Sequence, residues 1–156
     1  MAKVEILEQN GYHFLWIDGY LWMWDVPQEV GDQKEIAEEA FGNVLVAGYG
    51  LGIVQKYLIQ NKNVNSVFTI EKLNHVIEEC KKVYGTIYGE FSIEDFYNFS
   101  TDKKFDCVIG DIWADQSERY LSDYLRFKQK AESLLKPGGK ILGWGKGYME
   151  YLLIKP

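Results

Sequence analysis

The chain has 156 residues, 47% of them hydrophobic and 26% charged, with a formal net charge of −6. That length suits one compact core, and the acidic balance argues against a nucleic-acid backbone as main partner while leaving room for a cationic small molecule. No apolar run approaches the roughly 18 to 20 residues of a membrane span, and the opening MAKVEILEQN lacks a signal-peptide core. Cys80 and Cys107 sit in apolar patterns without CxxC or Cys/His spacing, so reduced thiols, a cytoplasmic location and no membrane partner are expected.

Residues 1–26 read as a β-meander ahead of a second unit over 27–156. KVEILEQ, YHFLWI and YLWMWD are separated by Asn10-Gly11 and Asp18-Gly19. Such dipeptides tolerate positive φ and are strong hairpin signals. Tyr12, Phe14 and Trp16 share one face of the middle strand and Leu15 and Ile17 the other. A meander apolar on both faces must cover both, so Trp16, Trp22 and Trp24 predict a homodimer joined through the hairpin. VPQEVGDQKEIAEEA then reads as a helix with Asp32 as N-cap and Glu35 completing a capping box.

From there strand and helix alternate. NVLVAG precedes a helix bearing Ile53, Val54, Tyr57 and Leu58, and NSVFTI precedes one bearing Leu73, Val76, Ile77 and Cys80. GTIYG reads as a short strand and FDCVIGD as a buried one. SERYLSDYLRFKQKAESLL is an amphipathic helix stopped by Pro137-Gly138-Gly139, and KILGWG is the next strand. Repeated βα units imply a Rossmann-like parallel sheet with helices on both faces. After KILGWG at most one further strand is expected.

Ligands of such sheets bind beyond the carboxyl ends of the strands. The reading places Gly48, Gly50 and Gly52 after the first strand, Glu71 after the second, Glu90 after the third and Asp111 after the fourth. A dinucleotide fingerprint G-x-G-x-x-G/A is spoiled by the β-branched Ile53. The spacing G-x-G-x-G suits a nucleoside with its ribose hydroxyls on Glu71. His13 and His75 have no partner at metal spacing, and no metal is expected.

VLVAGYGLG, SVFTIEKLNHVIEEC, FDCVIGD and LLKPGGKIL resemble the successive motifs of the class I S-adenosylmethionine-dependent methyltransferases. LWIDGYLWMWDVPQEVGDQKEIAEEA resembles the N-terminal hairpin and helix of the spermidine synthase, or aminopropyltransferase, branch. The resemblance implies S-adenosylmethionine as cofactor. Gly48, Gly50 and Gly52 would back its methionine and ribose, Glu71 would take the ribose hydroxyls, and Glu90 would stand where the family has an aspartate facing the adenine amino group. Asp111 would be the carboxylate that receives and deprotonates the acceptor, and Gln33 matches a glutamine near the nucleoside.

Departures from that pattern weigh against a polyamine substrate. Leu51 stands where aminopropyltransferases carry an aspartate, Trp22 where they carry a glutamine, and the second acid after the catalytic one is displaced to Asp115. Trp113, beside Asp111, is a candidate sulfonium neighbour. Methyl transfer to a small molecule is the expected activity. Aminopropyl transfer and a non-catalytic nucleoside-binding or assembly subunit are the alternatives, the last motivated by C-terminal strands reduced relative to the family.

Overall fold

The computed structural model describes residues 2–110, 118–143 and 146–154. Three antiparallel strands, β1 (Val4–Gln9), β2 (Tyr12–Ile17) and β3 (Tyr20–Trp24), form the meander. Its turns hold Asn10, Gly11, Asp18 and Gly19 all at positive φ, between 51° and 83°, as two-residue hairpins demand. In β3 the ladder slips: Met23 pairs with Leu15 and Leu21 with Trp16, leaving Trp22 as the extra residue of a bulge. Bulges re-aim side chains, and the consequence for Trp22 appears at the site.

Helix α1 runs from Pro27 to Glu39, earlier than the Asp32 cap predicts. Pro27 occupies the first turn, where its missing N–H costs nothing, so the helix starts at the proline and Asp32 lies within it. A five-stranded parallel sheet follows, of β4 (Gly42–Ala47), β5 (Val64–Glu71), β6 (Glu90–Ile93), β7 (Phe105–Gly110) and β8 (Leu135–Gly143), in the order β6-β5-β4-β7-β8. Helices α2 (Ile53–Gln60), α3 (Asn74–Tyr84), α4 (Leu121–Leu134) and α5 (Lys146–Ile154) complete the chain. The last follows β8 where the sequence leaves room for at most one further strand, and it is a helix with Met149 and Leu152 buried.

Alternation along β4 sends Val44 and Val46 into a core with α1 and α2, and Leu45 and Ala47 into a core with α4 and α5. Because β5 and β6 lie on one side of β4 and β7 and β8 on the other, the winding reverses between β4 and β7. A crevice therefore opens at their carboxyl ends. Gly110, the last residue of β7, is pressed against Phe127 of α4, whose ring would lie 2.4 Å from an added Cβ. Overpacking of this kind costs about 1 to 3 kcal/mol. Gly110→Ala should therefore lower the urea midpoint with little change in slope; an unchanged midpoint would show that the ring gives way freely.

Candidate functional site

The glycine loop between β4 and α2 follows from its conformations. Gly48, Gly50 and Gly52 all have positive φ, at 91°, 58° and 74°, which side chains with a Cβ rarely adopt. The loop is also crowded from behind. A Cβ on Gly50 would lie 2.7 Å from the Met23 sulfur, and one on Gly52 would lie 2.5 Å from the Tyr49 hydroxyl. The glycines thus serve both the turn and the close packing of the loop.

Most of the loop's backbone groups are tied down. Gly48 N–H donates to the Ile70 carbonyl at 2.9 Å, and Tyr49 N–H donates to Glu71 Oε1 at 2.8 Å. Gln55 Nε2 donates to the Gly48 carbonyl at 3.2 Å, the Cys80 thiol donates to the Gly50 carbonyl at 3.2 Å, and Leu51 N–H donates to the Met23 sulfur at 3.3 Å. Gln55 is fully buried, and its Oε1 has no partner among the described residues. An orphaned buried acceptor costs about 1 to 3 kcal/mol, a cost borne where the amide holds the loop. Gly50 N–H has no protein acceptor among the described residues.

Glu71 closes β5 and is 7% exposed. Its second oxygen, Oε2, accepts from Leu73 N–H at 2.8 Å. The carboxylate so links the glycine loop to the start of α3, and each oxygen keeps one further acceptor site.

Glu71, Gly48 and Gly50 line a cavity of about 330 Å³. Leu15, Ile17 and Trp22 of the meander form one wall, and Leu73 at the N-cap of α3 and Val76 within it contribute another. Strand alternation alone would group Trp22 with Trp24 on the outer face of the meander. The bulge brings it to the cavity instead, half exposed at 40%. Asp95, Phe96, Tyr97 and Arg126 complete the lining, with Lys72 3.9 Å from Asp95.

Glu90 does not follow the third strand but opens it: β6 begins there, paired with Phe68 at the amino end of the sheet. It lines a separate open hollow of about 870 Å³ at the opposite end from the glycine loop. Two acids follow β6: Glu94, whose Oε2 accepts from Ser92 Oγ at 2.7 Å, and Asp95, which lines the cavity and whose Oδ1 caps a short 3-10 turn by accepting from Tyr97 N–H at 2.9 Å. Gly52 caps α2 and is not among the described residues lining the cavity. Gln33 is buried in α1, donating to Glu29 at 3.0 Å, and is likewise not among them. Asp111, Trp113 and Asp115 lie outside the described residues. Ile53 is 8% exposed and packs in the core between meander, glycine loop and α3, so the close approach that dinucleotide folds reserve for a small residue is filled. Leu51 is 4% exposed in the same core.

His13 pairs with Asp25 at 2.7 Å and meets the edge of Tyr84; His75 lies 3.9 Å from Glu78. Among the described residues no group of His, Cys, Asp and Glu could hold a metal, and no helix is long and apolar enough to cross a membrane.

No family model and no curated protein matches the chain by sequence. Solved structures do. A spermidine synthase in complex with the transition-state analogue AdoDATO superposes with a TM-score of 0.69 at 16% identity, over 96% of this chain and 57% of that one. The chain has a class I S-adenosylmethionine-dependent methyltransferase-like fold. Spermidine synthase from Thermotoga maritima gives 0.64 at 16% identity, over 87% and 50% of the two chains. An S-adenosylmethionine-dependent methyltransferase from Clostridium acetobutylicum ATCC 824 gives 0.55 at 15%, over 76% and 50%. The chain thus spans about half the length of these methyltransferase-fold proteins.

Cys80, at 0% exposure, carries a thiol that burial pushes up to about 12, with the charge of Glu71 adding to the effect. Burial likewise raises Cys107. Both should resist thiol reagents in the native protein at pH 8 and react fully in denaturant; rapid native labelling of Cys80 would show that the loop it supports opens readily.

Proposed function

We propose that the chain binds S-adenosylmethionine and transfers its methyl group to a small-molecule acceptor. The observation that carries this reading is the Glu71 carboxylate, buried beside the glycine loop, anchored by two backbone N–H groups and still able to accept two hydroxyls. A ribose offers two such hydroxyls. The cavity suits a nucleoside, falling at the small end of ligand sites. Asp95, at the end of the next strand, takes the adenine-facing role that the resemblance gave to Glu90. When bound, S-adenosylmethionine supplies a methyl group on a sulfonium, open to in-line displacement without a covalent enzyme intermediate.

The protein's own share is positioning. Gly48 and Gly50 present bare backbone, Trp22, Leu15 and Ile17 exclude water from one side, and Glu71 sets the ligand's depth. Holding reactants in line can contribute several kcal/mol. Asp111, next after β7, is the proposed base for an acceptor that carries a proton. Leu51 bears on the choice between methyl and aminopropyl transfer. Its buried apolar setting offers no partner to a polyamine ammonium, and an unpaired buried cation is costly.

Hydrogen bonds to a charged group contribute roughly 1.5 to 3 kcal/mol each. Glu71→Ala should therefore weaken S-adenosylhomocysteine binding at least ten-fold in calorimetry, in a variant whose circular dichroism confirms folding. Equal affinities would remove Glu71 from the site, and saturable NAD binding at micromolar concentration would contradict the nucleoside reading.

The outer face of the meander is proposed as the contact of a two-fold homodimer. Leu7 and Trp24 are 52% and 42% exposed there, and Trp24 meets Phe14 edge to face. Trp24→Ser should lower the mass in light scattering while leaving the cavity intact. A wild type that runs as a monomer at tens of micromolar contradicts the dimer.

A further inference from the structure

Arg126 brings α4 into the cavity. Its neighbours Tyr124 and Phe127 are fully buried in the core, whereas Arg126 is exposed and lines the cavity beside Tyr97 and Asp95. The guanidinium carbon stands 3.8 Å from the centre of the Tyr97 ring. At that separation it lies over the ring face, because an in-plane approach would collide with the ring's own rim. Among the described residues no carboxylate lies within ion-pair distance of it: of the two acids near Tyr97, Asp123 makes no ion pair with Arg126 and Asp95 faces Lys72 at 3.9 Å. Fixing a long exposed side chain costs rotamer entropy, and one cation–π contact at an exposed site returns a comparable amount. The arrangement gains when a second flat group takes the free face of the guanidinium.

We infer that Arg126 is the base-stacking residue of this site: Tyr97, the Arg126 guanidinium and the purine of the bound nucleoside form three successive layers, with Asp95 at the edge of the base. The inference rests on the nucleoside reading above and adds to it the residue that selects for a base. A planar, delocalised cation attracts an aromatic face and stacks on it at the same time. An ammonium of equal charge has no plane to offer, so Lys cannot replace Arg in this role.

The test compares wild type, Arg126→Ala and Arg126→Lys against two probes. One is S-adenosylhomocysteine; the other is S-ribosylhomocysteine, which keeps the ribose and lacks the base. Affinities come from calorimetry and ligand-observed NMR, with thermal melting of each unliganded variant as the folding control. Both variants should bind S-adenosylhomocysteine about ten-fold more weakly than wild type and bind S-ribosylhomocysteine as wild type does. Full affinity in Arg126→Lys would show that charge rather than the plane matters and would overturn the inference. An equal loss for both probes would overturn it by showing a merely structural role. Undiminished binding by Arg126→Ala overturns it while leaving the nucleoside reading standing, whereas a wild type that binds neither probe overturns both.

Discussion

The site depends on one buried carboxylate. Glu71 ends a central strand with almost no access to water, and a charge in that position needs donors. It finds them in the backbone of two other segments, Tyr49 of the glycine loop and Leu73 ahead of α3. Charge-assisted bonds to backbone N–H are short and strong, so the carboxylate fixes the distance between the carboxyl ends of β4 and β5. The loop's remaining ties, to Gln55, Cys80 and Met23, hold it in a backbone conformation that favours glycine at three positions. A loop held this way is organised before any ligand arrives, which reduces the ordering cost of binding.

This arrangement also explains why the meander belongs with the site. Met23 packs under Gly50, and the bulge beside it turns Trp22 to the cavity. Leu15 and Leu51 are buried in the core that the meander shares with α3 and the glycine loop. The same packing that secures the loop thus buries Leu51 in apolar surroundings. Structure and chemistry are coupled at Leu51: a carboxylate there would sit in an apolar core without a partner.

Much of this was legible in the sequence. Asn10-Gly11 and Asp18-Gly19 named their own turns, the βα alternation named the sheet, and the position of Glu71 after an apolar run placed it at a strand end. Register was harder. Thr86, Ile87 and Tyr88 have strand-like side chains, yet Gly85 and Gly89 at positive φ bracket them, and pairing with β5 sets β6 four residues later. That shift moved Glu90 to the wrong end of the sheet and concealed Asp95. The roles of Gln55, Cys80 and Met23 were invisible for a different reason. Each is an apolar-pattern or helix-interior residue locally, and only tertiary packing brings it to the loop. Arg126 carries no sequence signal of its own, because helical periodicity cannot show that Tyr97 lies beneath it.

The most direct test of this account is a crystal structure of the protein with S-adenosylhomocysteine bound. Both ribose hydroxyls should lie on the Glu71 carboxylate, with Tyr49 N–H and Leu73 N–H still donating to it and the backbone of residues 48–52 unmoved. A ligand seated elsewhere, or a glycine loop that must release Glu71 to admit it, would contradict the claim that this carboxylate builds the site in advance.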